Sequence, residues 1–236
     1  YFNMILDEIK NIATEQNLTE EFFIKKLSRI NRYLQIVNNS FDIVTNEMSN
    51  TEFMQFRSAL FPSSGFQSVQ YRKIELGATD ILNLIDPDLK DNVAFNLSVT
   101  DALQNIYWKK GATEKATGMP SLTIRQFEEK YSQEILATAH AYEHNNIWKR
   151  YSQLSASGLP SLELNEEMRK FDYGFNVQFA LAHLKAAVKH LKNAPSTGGT
   201  NWQKYLPPRF QKTMFFPELW SSEEIENWGR EYVLSA

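Results

Sequence analysis

The sequence predicts an all-α fold, a single domain (residues 1–236) built as a bundle of long antiparallel helices. Three observations carry that expectation. Apolar residues recur at spacings of three and four along most of the chain, as one face of an α-helix requires. No stretch shows the in–out alternation of a half-buried strand. Ser and Thr before acids, and Gly or Pro after, stand at the ends of the periodic runs, where helices start and stop.

Taken in order, Phe2, Ile5, Leu6, Ile9 and Ile12 mark the face of a first helix. Thr19 is a good N-cap, and Glu20 and Glu21 suit the positive end of the helix dipole. From Phe23 the stripe Leu27, Ile30, Leu34, Val37, Phe41, Val44 and Met48 continues unbroken, predicting one helix of about eight turns whose stripe faces a bundle core. A shorter helix runs from after Asn50 to a break at Pro62, and another from Phe66 to Leu76, stopped by Gly77. Residues 78–99 read as short turns broken by Pro87. Thr100-Asp101 opens a helix through Trp108, and Gly111 to Pro120 is a loop. Thr123 opens a long helix carrying Ile124, Phe127, Tyr131, Ile135, Ala139, Ile147 and Tyr151. After Gly158-Leu159-Pro160 a further long helix spans about Asn165 to Leu191. Residues 193–208 have no regular pattern, and Ser221 to Glu224 cap a final helix.

Composition narrows the chemistry. With a net charge of −3 the chain offers no basic field for nucleic acid or an anionic membrane. No apolar run approaches the roughly 20 residues of a membrane span, and no secretory signal is visible. The absence of cysteine removes disulfides, zinc–thiolate sites, iron–sulfur ligands and thiolate-bound haem, and fits a cytoplasmic protein. Any transition metal or haem iron would fall to imidazole, and the four histidines are His140, His144, His183 and His190. The chain opens on Tyr1 rather than Met, so a preceding segment is expected.

Three constellations stand out. In Phe53-Met-Gln-Phe-Arg57-Ser-Ala-Leu60-Phe-Pro62-Ser-Ser64-Gly65-Phe66-Gln67-Ser68, an arginine sits one helical turn from an aromatic, before a break and a Ser-Ser-Gly restart. An arginine in a helix is ordinarily solvated, though its planar guanidinium also fits a carboxylate bidentately. His183 shares its helix face with Phe179, Ala180, Ala186 and Ala187, which leaves room for a flat group but is equally common in helix packing. Fourteen residues later comes Thr197-Gly198-Gly199-Thr200, a flexible linker or a closing loop. A third run, His140-Ala-Tyr-Glu143-His144, fits the H-x-x-E-H pattern of inverted zinc proteases but lacks a third ligand, and is expected to be a solvated helix segment.

Residues 53–75 closely resemble the signature of the tryptophan 2,3-dioxygenase family, haem enzymes that open the indole ring of tryptophan. Tyr1-Phe2-Asn-Met-Ile5-Leu6-Asp-Glu8-Ile9 is similar to the family's first core helix, and the Thr-Gly-Gly run after His183, Tyr205-Leu206 and Phe216 to Trp220 resemble its C-terminal features. The resemblance implies a helical bundle enclosing haem b, with His183 as the axial ligand to iron and Ser64 and Gly65 at the haem pocket. It implies L-tryptophan and O2 as substrates, Arg57 at the substrate carboxylate, Phe53 and Leu60 at the indole ring, and Thr197 at the amino-acid head group. A distal histidine is expected upstream of Tyr1, and a homotetramer is implied. The chain departs from the family where Trp-Arg-x-Asn-His becomes Phe179-Ala-Leu-Ala182-His183, and where Thr200-Asn201-Trp202 stands for Ser-Ser-Gly. These departures leave open another indole or modified tryptophan as substrate, or a non-catalytic haem- or indole-binding role.

Overall fold

The computed structural model describes residues 1–60, 68–90, 97–109, 122–158, 160–192, 203, 207 and 213–230, without the side chains of residues 58–60, 88, 122 and 123. Among these residues there is no strand, and one isolated antiparallel bridge joins Ile85 and Ile106. The all-α expectation holds. The helices are α1 (Phe2–Thr14), α2 (Glu20–Asp42), α3 (Asn50–Leu60), α4 (Val69–Ala78), α5 (Pro87–Lys90), α6 (Val99–Gln104), α7 (Leu122–Tyr142), α8 (Ile147–Ser157), α9 (Leu162–Tyr173), α10 (Phe179–Leu191) and α11 (Ser222–Glu226).

The core follows from the stripes. Ile5, Ile9 and Ile12 of α1 meet Phe23, Leu27, Ile30 and Leu34 of α2, and all are fully buried or nearly so. Each such side chain contributes about 1.5–3 kcal/mol on leaving water. α1 also lies on α4, α4 on α7, and α2 on α9. The α1–α2 pair is fixed further by Glu8, whose buried carboxylate meets Lys26 at 2.8 Å and Arg29 at 2.9 Å. Thr19 caps α2 as expected, accepting from the backbone N–H of Phe22.

Several boundaries differ from the periodicity. The stripe beyond Leu34 is only half-buried, and α2 gives way at Asp42 to a π-turn, Ile43–Glu47. Gly77 does not stop α4 but lies inside it, where a Cβ would stand 2.7 Å from Ile9 Cγ2. Glycine is there to let α1 and α4 approach. The helix expected from Thr123 to Tyr151 is two helices, because the Asn146 side chain accepts from Lys149 N–H and caps a new one. α6 starts at Val99 because Ser98 caps it, and α9 starts at Leu162 because Ser161 caps it. A second π-turn, Gly174–Gln178, links α9 to α10. The break at Pro62 and the loop at Gly111 to Pro120 lie outside the described residues.

The chain returns to this core at Phe215 and Phe216. The backbone N–H groups of Phe215 and Phe216 donate to Asp172, while the Phe215 carbonyl accepts from Thr79 and Asn83. This segment is thereby held between α9 and the end of α4.

Candidate functional site

His183 lies in the second turn of α10, just past the π-turn. A π-turn inserts one residue into the α register and so rotates the following helix face, a device frequent at functional sites. Its first residue, Gly174, packs tightly, since a Cβ there would sit 3.0 Å from Leu34 Cδ2. The turn directs Phe175 and Phe179 into an aromatic cluster. Phe175 stacks on Tyr71 at 4.4 Å, and Phe179 meets Tyr71 at 5.5 Å, Phe2 at 5.8 Å and Phe41 at 5.5 Å. Phe41 in turn stacks beside His183, with centroids 5.9 Å apart and planes at 27°.

This wall sets the state of the imidazole. Desolvation lowers the His183 pKa to about 4, so the ring is neutral at neutral pH and keeps a lone pair. Part of its surface is still accessible, and it forms no hydrogen bond to another described residue. Ala180, Ala186 and Ala187 are buried on neighbouring positions of α10.

The structure places the other expected residues unevenly. Phe53 and Arg57 lie one turn apart on α3, both half-buried. Phe53 packs with Leu184, Ala187 and Leu191 of α10, and its ring lies on His190, with centroids 4.3 Å apart and planes at 10°. Phe53 therefore docks α3 on the helix that carries His183, about 10 Å beyond it at 1.5 Å per residue. Leu60 ends α3, with its side chain outside the description. Ser64, Gly65 and Thr197 lie outside the described residues.

Two participants were not expected beside His183, although His190 was one of the four histidines available to a metal. Phe41 belongs to the apolar stripe of α2, and its spacing carried no hint that it would flank a histidine. His190 is seven residues from His183 and so on the same helix face, which was a usable signal. The His140–His144 run is solvated as expected: His140 and Glu143 are exposed, with Nδ1 and Oε2 3.5 Å apart.

The donor set discriminates among metals. Among the described residues no group of three His, Cys, Asp or Glu side chains could hold a bare ion. A single neutral imidazole with small neighbours suits a cofactor that brings its own remaining ligands, and a haem iron bound through one axial histidine is of that kind. The residues present fit it. Fold and site thus define an all-α protein with a neutral helix histidine set in an aromatic wall.

Comparison with known proteins agrees. The family model described as tryptophan 2,3-dioxygenase matches residues 1–110. The tryptophan 2,3-dioxygenase of Ruegeria sp. is 44% identical over 63 residues, 27% of this chain and 22% of the relative. Those of Bradyrhizobium diazoefficiens and Bacillus anthracis are 28% and 25% identical over 212 and 229 residues. These alignments cover 86% and 94% of this chain and 71% and 78% of the relatives. Over most of its length the chain is thus similar to tryptophan 2,3-dioxygenases, and the family model matches its N-terminal 110 residues.

Proposed function

We propose that this chain is a haem-dependent dioxygenase that adds both atoms of O2 across the indole C2–C3 bond of L-tryptophan, giving N-formylkynurenine. The observation that carries the reading is His183: neutral, set in an aromatic wall and free of hydrogen bonds to described residues, in a chain similar to tryptophan 2,3-dioxygenases. When bound, haem supplies the redox-active iron at which dioxygen is activated. His183 would hold that iron, with Ser64 and Gly65 at the haem pocket. Arg57 would receive the substrate carboxylate bidentately, and Phe53 and Leu60 would orient the ring. Thr197 would contact the head group from a loop that closes the site against water. The same reading makes the protein a cytoplasmic homotetramer. No helix among the described residues is long and apolar enough to cross a membrane.

The test is anaerobic reduction of haem-loaded protein, then addition of L-tryptophan and O2 while the N-formylkynurenine absorbance is followed. Product should form with the native chain and vanish in both His183→Ala and Arg57→Ala, His183→Ala also losing the haem Soret band. No Soret band in the native chain would overturn the reading.

One observation favours a second reading, the same scaffold acting on another indole. Phe179 packs among Phe2, Phe41, Tyr71 and Phe175, and Ala180 and Ala182 stand where the family's run has arginine and asparagine, so the residues leading to His183 are apolar where the family has polar groups. Polar neighbours of an axial histidine tune its basicity and the iron's potential. A strong Soret band without product from L-tryptophan, but with turnover of a substituted indole amino acid, would select this reading.

A further inference from the structure

His190 joins three elements that reach the site from different parts of the chain. It belongs to α10, two turns beyond His183. Its Nε2 lies 2.8 Å from the carbonyl oxygen of Val44, in the π-turn that ends the α2 run. A carbonyl only accepts, so Nε2 carries the proton and donates it. The next residue back, Lys189, donates to the carbonyl of Thr45. Carbonyls at a helix C-terminus lack donors from their own helix, and these two side chains supply them from α10. The flat face of His190 meanwhile lies on Phe53.

Packing alone does not call for histidine here. The side chain is 3% exposed, and its Nδ1 is buried with no hydrogen-bond partner among the described residues. A phenylalanine or methionine would cover Phe53 and Ala187 without burying a bare nitrogen. Imidazole adds a stacking face and a donor at once, so one ring holds both the turn and the helix after it. Only Met48 and Ser49 separate that turn from α3, whose start is closed by reciprocal bonds between Ser49 and Glu52.

We propose that His190 is a positioning residue. By capping the π-turn and stacking on Phe53 it fixes both ends of the first turn of α3, and so sets Arg57 relative to His183. This rests on the reading of Phe53 and Arg57 as substrate contacts.

Three variants separate the two contacts. His190→Phe keeps the stack and loses the donor, His190→Gln keeps a donor and loses the ring, and His190→Ala loses both. Since His183 lies two turns away, all three should load haem with the native Soret band. In His190→Ala the KM for L-tryptophan should rise about tenfold with kcat within about twofold, the pattern of weakened substrate binding. Amide hydrogen exchange in the haem-free protein should speed across residues 43–57 and stay native in α1 and α7, with the Phe and Gln variants intermediate. An unchanged KM in His190→Ala, native exchange across residues 43–57, or faster exchange in every helix alike would overturn the proposal. If the native chain makes no product from L-tryptophan, the dioxygenase reading fails, and the exchange pattern still decides whether His190 fixes α3.

Discussion

The carboxylate of Asp172 accepts the backbone N–H of Phe215, 43 residues further along the chain, at 2.8 Å. It also accepts from Phe216 N–H and Trp220 Nε1 at 3.0 Å and from Asn176 Nδ2 at 2.8 Å, and the residue is fully buried. Burial pushes its pKa up while the four donors pull it back. Asp172→Ala would strand all four donors at once, so a loss of about 3–5 kcal/mol is expected. Asn176→Ala removes one donor and should cost about 1 kcal/mol. Urea unfolding of the pair checks this: equal, small shifts would show that Asp172 does not anchor the C-terminal segment.

Arg72 is 1% exposed, bonded to Glu75 at 2.5 Å, and its guanidinium lies 4.7 Å from the ring of Tyr71 and 4.9 Å from that of Trp108. Burial raises the Glu75 pKa, and Arg72 opposes that shift. Arg72→Met would leave a buried carboxyl without its cation, at about 3–5 kcal/mol. Arg72→Met combined with Glu75→Gln should recover part of that loss, because no charge is left stranded. A double mutant less stable than Arg72→Met would show that the pair is not coupled in this way.

The legible parts of the fold were those set by local signals. The α1 and α2 faces, the Thr19 cap and the all-α class follow from spacing and from residues within one turn. The missed parts depend on distant partners. Nothing near Asp172 shows that it will meet Phe215, and nothing in the spacing of Val37, Phe41 and Val44 shows the π-turn that starts at Ile43. Gly77 followed a rule that glycine ends helices, and its neighbour Ile9 in α1 overrode it. For the site, motifs nominated His183, Phe53 and Arg57. The stack of Phe53 on His190 was illegible, because it depends on how α3 docks on α10.

The contact between Gly77 and Ile9 makes its own prediction. A Cβ at 77 would stand 2.7 Å from Ile9 Cγ2 and 3.4 Å from Tyr142 Cε2, both in packed surroundings. Gly77→Ala should therefore cost about 1–3 kcal/mol by overpacking, despite alanine's better helix propensity. Gly158→Ala is the control: nothing among the described residues lies within 4 Å of its Cβ position and its φ is 167°, so the change should stay within about 0.5 kcal/mol. Thermal unfolding of both decides. A neutral or stabilising Gly77→Ala would mean that α1 and α4 can separate without loss.

His183 links the site to the pH dependence of stability. In the folded chain desolvation lowers its pKa to about 4, whereas an exposed histidine titrates near ~6.5. Between those values the unfolded chain binds a proton that the folded chain does not, so stability falls as pH drops through that window. Above it the effect is absent. At about 1.36 kcal/mol per unit the loss reaches up to ~3 kcal/mol at pH 4, an upper value because part of the ring is accessible. His183→Gln takes up no proton, so its stability should lack this component. Urea midpoints for both proteins at pH 4.5, 5.5 and 7.5 measure it. The native chain should lose ground to His183→Gln steadily as the pH falls, and parallel curves would show that the ring is as well solvated when folded as when unfolded.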